Sequence, residues 1–262
     1  MDRSNIDKIA FSSEDRVLLA KLWDKINAGI RRNIPAFTGF LSLKEQEMAQ
    51  FLFGDVPGLS FFGGYGDSER KALCYVPDYL EGDWLFSDES PVVCLRATFH
   101  EGDSPLSHRD FLGGLMACGV TRETLGDICV GKGSCDFFVM RHMAEYILQN
   151  FLSAGRVKLH LEPIALQEAQ IPEQAFKEIK DTVASLRLDS IVSSGFRIGR
   201  SMASQYISAG KAAIDGALCE KPDKTVTEGM KISVKGLGKI KIQSVNGQTK
   251  KDRIWVVIHR YI

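Results

Sequence analysis

Apolar positions change period several times along the chain, and each change marks an element. Val17, Leu18, Leu22, Trp23 and Ile26 recur at helical spacing, which predicts an amphipathic helix near the start. A second helix is expected in FLSLKEQEMAQFLFG, where Ser42 and Glu45 have capping-box spacing and Gly54 ends the run. LSFFGGYGDSER and KALCYVP then read as two strands around a glycine-rich turn, so residues 1–90 form a small α/β unit.

From 91 to 166 the pattern alternates: strand VVCLRATFH, helix SHRDFLGGLMACG, strand LGDICVGK, strand SCDFFVM, helix RHMAEYILQNFL, strand VKLHLEPI. That order, β-α-β-β-α-β, predicts a ferredoxin-like domain with a hairpin turn at Gly131-Lys132-Gly133. The same topology serves RNA-recognition modules and unrelated enzymes, so it fixes no activity. Strand alternation sends one of Phe137 and Phe138 outward, and Arg96 points to the polar side of the first strand. Ser107 and Asp110 cap the first helix, leaving His108 and Arg109 as anion contacts at its start. Arg96, His108, Arg109 and Phe138 are therefore a second candidate RNA site, with core packing as the competing reading for Phe138. Residues 167–182 are polar, acidic and broken by Pro172; they predict a linker with a short helix.

After residue 183 two short helices are expected. Leu186, Leu188, Ile191 and Val192 form the first, which ends near Gly195, and Met202, Ala203, Tyr206 and Ile207 the second, which Gly210 stops. Asp215-Gly216 is a hairpin signal. Beyond it Ile232, Val234, Ile240 and Ile242 alternate with Lys231, Ser233, Lys235, Lys239 and Lys241, so the lysines share a face. The class is α+β throughout.

Charge changes this picture more than composition does. The 262 residues carry 33 Lys+Arg and 33 Asp+Glu, but residues 183–262 hold 14 against 6, a net of +8. Residues 1–182 keep the remaining 19 against 27, a net of −8. The carboxyl-terminal third is thus suited to a polyanion, and the acidic remainder to a protein partner. No apolar run reaches the roughly 18 residues of a membrane span, and the first residues lack a signal-peptide core, so a cytoplasmic protein is expected. The six cysteines form no C-x-x-C pair and the histidines no H-E-x-x-H, so neither a metal nor a cofactor is expected. The glycines of FFGGYGDSER lack the Lys-Ser/Thr of a phosphate loop. No nucleophile, base and acid constellation is legible in residues 1–166, so catalysis is not expected.

The stretch RLDSIVSSGFRIGRSMASQYISAGKAAIDG, followed by KPDKTVTEGMKISVKGLGKIKI, resembles the S4 domain, an RNA-binding module of ribosomal proteins, pseudouridine synthases and tyrosyl-tRNA synthetases. It departs from the usual pattern at Gly199, Ala212-Ala213 and Met230. The resemblance implies RNA-backbone contacts at Arg187, Arg197, Arg200, Ser201 and Lys211, to which the basic strands and extension add Lys235, Lys239, Lys241, Lys250, Lys251 and Arg253. NGQTKKDRIWVVI, LSLKEQEMAQFL, FFGGYGDSERKALCYVP and LSHRDFLGGLMACGVTRETLGDICVGKGSCDFFV together resemble the YlmH family of S4 proteins. That resemblance implies a ribosome-associated protein engaging rRNA and tRNA on the large subunit, in rescue or quality control of stalled translation, with a link to cell division. An RNA-modifying enzyme and a photosystem- or division-related adaptor are the alternatives; neither membrane nor DNA is an expected partner.

Overall fold

Short polar caps set where the first elements begin. α1 (Ile6–Ile9) leads into α2 (Ser13–Arg32), and the Ser12 side chain accepts the Asp15 amide at 3.1 Å to start it. α2 turns Leu22, Trp23 and Ile26 into the core, as their spacing predicts, together with Leu19, whereas Val17 at the start of the expected stripe is exposed. β1 (Ala36–Leu41) follows, a strand that the periodicity did not announce. α3 (Leu43–Phe53) has the expected capping box: the Ser42 amide donates to Glu45 Oε2 at 2.6 Å, and the Glu45 amide to Ser42 Oγ at 3.4 Å. β2 (Leu59–Phe62) and β3 (Lys71–Tyr75) flank the glycine-rich turn, and the three strands form an antiparallel sheet ordered β1-β3-β2. The helices cover one face of this sheet through Leu19, Trp23, Met48, Leu52 and Leu73.

The chain continues through β4 (Val92–Thr98), α4 (His108–Ala117), β5 (Leu125–Val130), β6 (Ser134–Met140) and α5 (Arg141–Asn150). The two-residue strands β7 (Ser153–Ala154) and β8 (Val157–Lys158) make a small hairpin before β9 (His160–Ile164). The four longer strands lie antiparallel in the order β5-β6-β4-β9. α4 and α5 pack on one face against Leu95, Phe137 and Val139. On the other face Cys94, Cys129, Phe138 and Met140 pack against Phe40, Phe62 and Cys74 of the first sheet.

That second layer corrects one expectation. Phe138 was a candidate for base stacking on an open sheet face with core packing as the favoured reading, and the β1-β3-β2 sheet covers it, leaving it 0% exposed in the core. Its ring lies 5.1 Å from that of Tyr65. Gly64, at φ 98°, lies against the same ring: a Cβ there would meet Phe138 Cδ1 at 2.3 Å. The glycine-rich turn is thus shaped by close packing.

The structure is a computed structural model and describes residues 5–80, 83–100, 105–172, 176–249 and 252–261. Contacts divide the chain into Met1–Pro172, described so far, and Glu173–Ile262. The second unit begins with β10 (Phe176–Val183), then α6 (Leu188–Phe196), α7 (Arg200–Ser208), β11 (Ala212–Ile214) and β12 (Ala217–Leu218). β13 (Lys231–Val234), β14 (Gly238–Gln248) and β15 (Ile254–Tyr261) complete it. Among the described residues they form a six-stranded antiparallel sheet ordered β10-β15-β14-β13-β11-β12. α6 and α7 cover one face of it, where Leu188, Ile191, Val192, Ala203 and Ile207 pack on Ile232, Ile240, Ile242 and Ile258. Gly195 lets α6 approach the sheet: a Cβ there would meet Ile240 Cδ1 at 2.7 Å.

The expected linker helix over 167–182 is also corrected. Residues 176–183 are an edge strand paired with β15 along its whole length, from Phe176 opposite Tyr261 to Val183 opposite Ile254. Ile179 and Val183 are four apart, a spacing that suits a helix or a strand equally, and the distant partner β15 decides between them. The unit boundary accordingly falls after Pro172 rather than at 183. No helix among the described residues is long and apolar enough to cross a membrane.

Candidate nucleic-acid interface

On the helix side of the second unit, one acid organises the arginines that the sequence singled out. Arg187 immediately precedes α6, Asp189 lies in its first turn, and Arg200 opens α7. The Asp189 side chain, only 5% exposed, accepts from Arg187 Nε at 3.3 Å and Nη2 at 3.4 Å, and from Arg200 Nε at 3.1 Å and Nη2 at 3.2 Å. Burial works against ionising Asp189, but hydrogen bonds from Arg200 and Arg187 overcome it and hold the carboxyl below its ordinary value. One carboxylate therefore orients two guanidiniums while leaving Nη1 of each free of Asp189, and the trio keeps a net charge of +1. Such a pre-set fork can meet phosphate oxygens at a reduced ordering cost.

Neighbouring cations extend this surface. Arg197 is exposed and caps α6 in the left-handed region at φ 54°, a conformation that costs a non-glycine residue about 1 kcal/mol. Lys211 follows Gly210, its Nζ 5.2 Å from the centroid of the Tyr206 ring. The Lys235 amide donates to the Lys211 carbonyl at 2.8 Å, so the two residues are neighbours along the backbone. Ser201 is exposed in the first turn of α7. The KPDK segment supplies cations that the sequence reading did not assign: the Leu188 amide donates to the Lys224 carbonyl at 2.9 Å and the Asp189 amide to the Pro222 carbonyl at 3.0 Å. These contacts occupy amides at the start of α6 and bring the exposed Lys221 and Lys224 beside Arg187. Asp189 lies in the RLD triplet of the sequence, which by itself assigns the acid no role.

Lys239 and Lys241 belong elsewhere. They point away from Ile240 and Ile242, so they lie on the sheet face opposite α6 and α7, together with Lys231, the strand partner of Lys241. The single basic face expected from the sequence is therefore two surfaces on opposite sides of one sheet. Arg253 is tied to β10, its Nε donating to Thr182 Oγ1 at 2.9 Å and its Nη2 to the Thr182 carbonyl. Lys250 and Lys251 lie outside the described residues.

In the first unit the proposed second site is not assembled. Arg96 pairs with Asp136 through Nε at 2.7 Å and Nη2 at 2.6 Å, and Nη2 also donates to the Glu168 carbonyl at 3.0 Å. Asp136, 1% exposed, further accepts the Gln170 amide at 2.6 Å, so this pair fastens the 165–172 segment. The Asp136 hydrogen bond raises the Arg96 pKa further. Phe138 is buried, as above. His108 and Arg109 are exposed at the start of α4, but Asp110 already supplies negative charge there, accepting the Ser107 amide at 2.8 Å and its hydroxyl at 2.6 Å. Desolvation and the charge of Arg122 lower the His108 pKa, which disfavours its cationic form. Asp127, also unassigned from the sequence, holds the glycine-rich turn by accepting Tyr65 Oη at 2.8 Å and the Glu69 and Arg70 amides at 2.7 and 3.0 Å. Among the described residues no cluster of three or more His, Cys, Asp or Glu could hold a metal.

Parts of the chain are similar to known proteins. Residues 96–168, from β4 to the turn after β9, match the family model described as "Putative RNA-binding domain in YlmH". Over 224 residues the chain is 29% identical to the "Ribosome-associated protein quality control protein P2" of Bacillus subtilis (strain 168), covering 85% of this chain and 86% of that one. A solved structure titled "Cell division protein ylmH from Streptococcus pneumoniae" is 24% identical with a TM-score of 0.49, covering 62% of this chain and 98% of that chain.

Proposed function

We propose, from the premise that residues 96–168 belong to the YlmH family of RNA-binding domains, that this protein binds structured RNA on the ribosome and takes part in quality control of stalled translation. The observation that carries the reading is the Asp189-centred pair of arginines, flanked by Arg197, Lys211 and Lys224 on the helix side of the second unit. We read that unit as an S4 domain and β4 to β9 as a ferredoxin-like domain. The expected ligands are rRNA and tRNA of the large subunit, engaged through backbone and shape rather than base sequence. The protein acts without catalysis, in the cytoplasm, as a docked factor.

Ribosome co-sedimentation across a salt series tests this. If three to four phosphates are neutralised, raising salt from 50 to 200 mM should weaken binding roughly 40- to 150-fold. Charge reversal at Arg187, Arg200 and Lys211 together should abolish co-sedimentation. Unchanged sedimentation of that triple variant, with its fold intact by circular dichroism, refutes the proposal.

A further inference from the structure

The sheet face opposite α6 and α7 carries residues that a solvated sheet face does not need. Alternation along β15 sends Val256 and Ile258 into the core and Trp255, Val257, His259 and Tyr261 outward. Register with β10 places Phe176, Glu178, Lys180 and Thr182 on the same side, and register with β14 and β13 adds Lys241 and Lys231. The open face of an antiparallel sheet is normally polar, and Thr182, Asn246 and Ser233 follow that rule here. Trp255 and Phe176 do not: each is 48% exposed. Phe176 is stacked on one side against His259, ring centroids 3.8 Å apart and planes within 10°, which holds its ring in place for a partner on its other side.

Charge selects the partner. Lys180, Lys231, Lys239 and Lys241 share this face with Glu178. Glu178 is itself bridged to Lys180 at 3.0 Å and lies 3.8 Å from His259 Nε2, so the surface as a whole is positive. Aromatic planes interleaved with lysines on a rigid sheet fit a chain that alternates flat π-systems with negative charge. That description matches unpaired nucleotides: base stacking on aromatic side chains tolerates any sequence, while cations track the backbone. An acidic peptide would satisfy the lysines but would leave the flat aromatic faces without flat partners, and a duplex hides its base faces.

We propose that this face is a second RNA-binding surface, which takes an unpaired RNA strand with bases stacked on Trp255 and on Phe176 and phosphates near Lys231 and Lys241. It rests on the reading of the protein as an RNA binder, but it uses the opposite side of the domain from the arginine fork. Residues four apart on β15 stand roughly 13 Å apart, so Trp255 and the Phe176–His259 stack are two separate stacking positions.

The test uses the full chain, fluorescein-labelled 12-mers of uridine or adenosine, and a blunt RNA hairpin as the duplex control. Trp255→Ala and Phe176→Ala should each weaken 12-mer binding roughly 5- to 150-fold, the range for one lost base stack. Trp255→Phe should retain most of the affinity, which separates stacking from folding. Lys231→Glu with Lys241→Glu should flatten the salt dependence of 12-mer binding. Charge reversal at Arg187 and Arg200 should remove ribosome co-sedimentation yet leave 12-mer binding intact, so the two surfaces fail independently. Wild-type affinity of both alanine variants for the 12-mer overturns the proposal, as does a wild-type protein that binds the hairpin but no 12-mer in dilute salt.

Discussion

Replacing Asp189 with Asn separates two accounts of RNA binding that agree on almost everything else. The substitution adds one positive charge to a basic surface, so an account resting on net charge alone expects tighter binding. If Asp189 works instead by fixing the directions of Arg187 and Arg200, affinity must fall. The four contacts to Asp189 are 3.1 to 3.4 Å long, and the two arginine side chains are near half exposed. Solvent screening therefore discounts the 3 to 5 kcal/mol that breaking a fully buried pair costs to about 1 to 3 kcal/mol. Loss of orientation at both arginines should cost about tenfold or more in ribosome affinity, equivalent to about 1.4 kcal/mol. The same variant has a pH signature. Because the folded carboxyl has a lowered pKa, the unfolded chain binds more protons across the interval between its ordinary value and the folded one. Its contribution to stability is thus complete above the ordinary carboxylate range and is lost as pH falls through the folded value. Hydrogen exchange of the α6 and α7 amides, measured from pH 7 downward, should show that loss in the wild type and a flatter profile in Asp189→Asn. Ribosome binding at or above the wild-type level, with unchanged α6 protection, would refute the orienting role.

Other outcomes follow from the packing. Phe138→Ala should destabilise the first unit by about 3 to 5 kcal/mol in denaturant unfolding, since its ring is enclosed between two sheets. Gly64→Ala should cost a few kcal/mol, because its Cβ would strike that ring from a left-handed backbone; a stability within about 0.5 kcal/mol of wild type would contradict the geometry. Arg96→Ala leaves Asp136 buried without its cation and should lower stability by about 3 to 5 kcal/mol, with protease sensitivity appearing first near residues 165–172. Burial pushes the Cys74 thiol up to about 12 and that of Cys129 up to about 11, so at pH 8 a thiol reagent should modify Cys118 and Cys219 in the native chain and the other four cysteines only after unfolding.

Local signals were sufficient wherever one element could be specified by its own residues. The Ser42–Glu45 capping box, the helical spacing from Leu18 to Ile26 and the alternation of isoleucine with lysine in β13 and β14 each encode a helix start, a buried stripe or a sheet face within a few residues. The order β-α-β-β-α-β and the basic carboxyl-terminal third were legible in the same way. What could not be read were properties created by distant partners. Whether Phe138 meets solvent depends on a second sheet laid over β6, and nothing adjacent to Phe138 in the chain records it. The spacing of Ile179 and Val183 permits helix or strand until β15, some 75 residues later, supplies the hydrogen bonds. Arginine and lysine types declare a charge, but Asp189 directs two of them and the sheet divides the rest between its faces. Composition and periodicity thus set the kinds of element and the sign of the surface, whereas accessibility and direction belong to three-dimensional packing, because both are defined by what lies across from a residue rather than beside it.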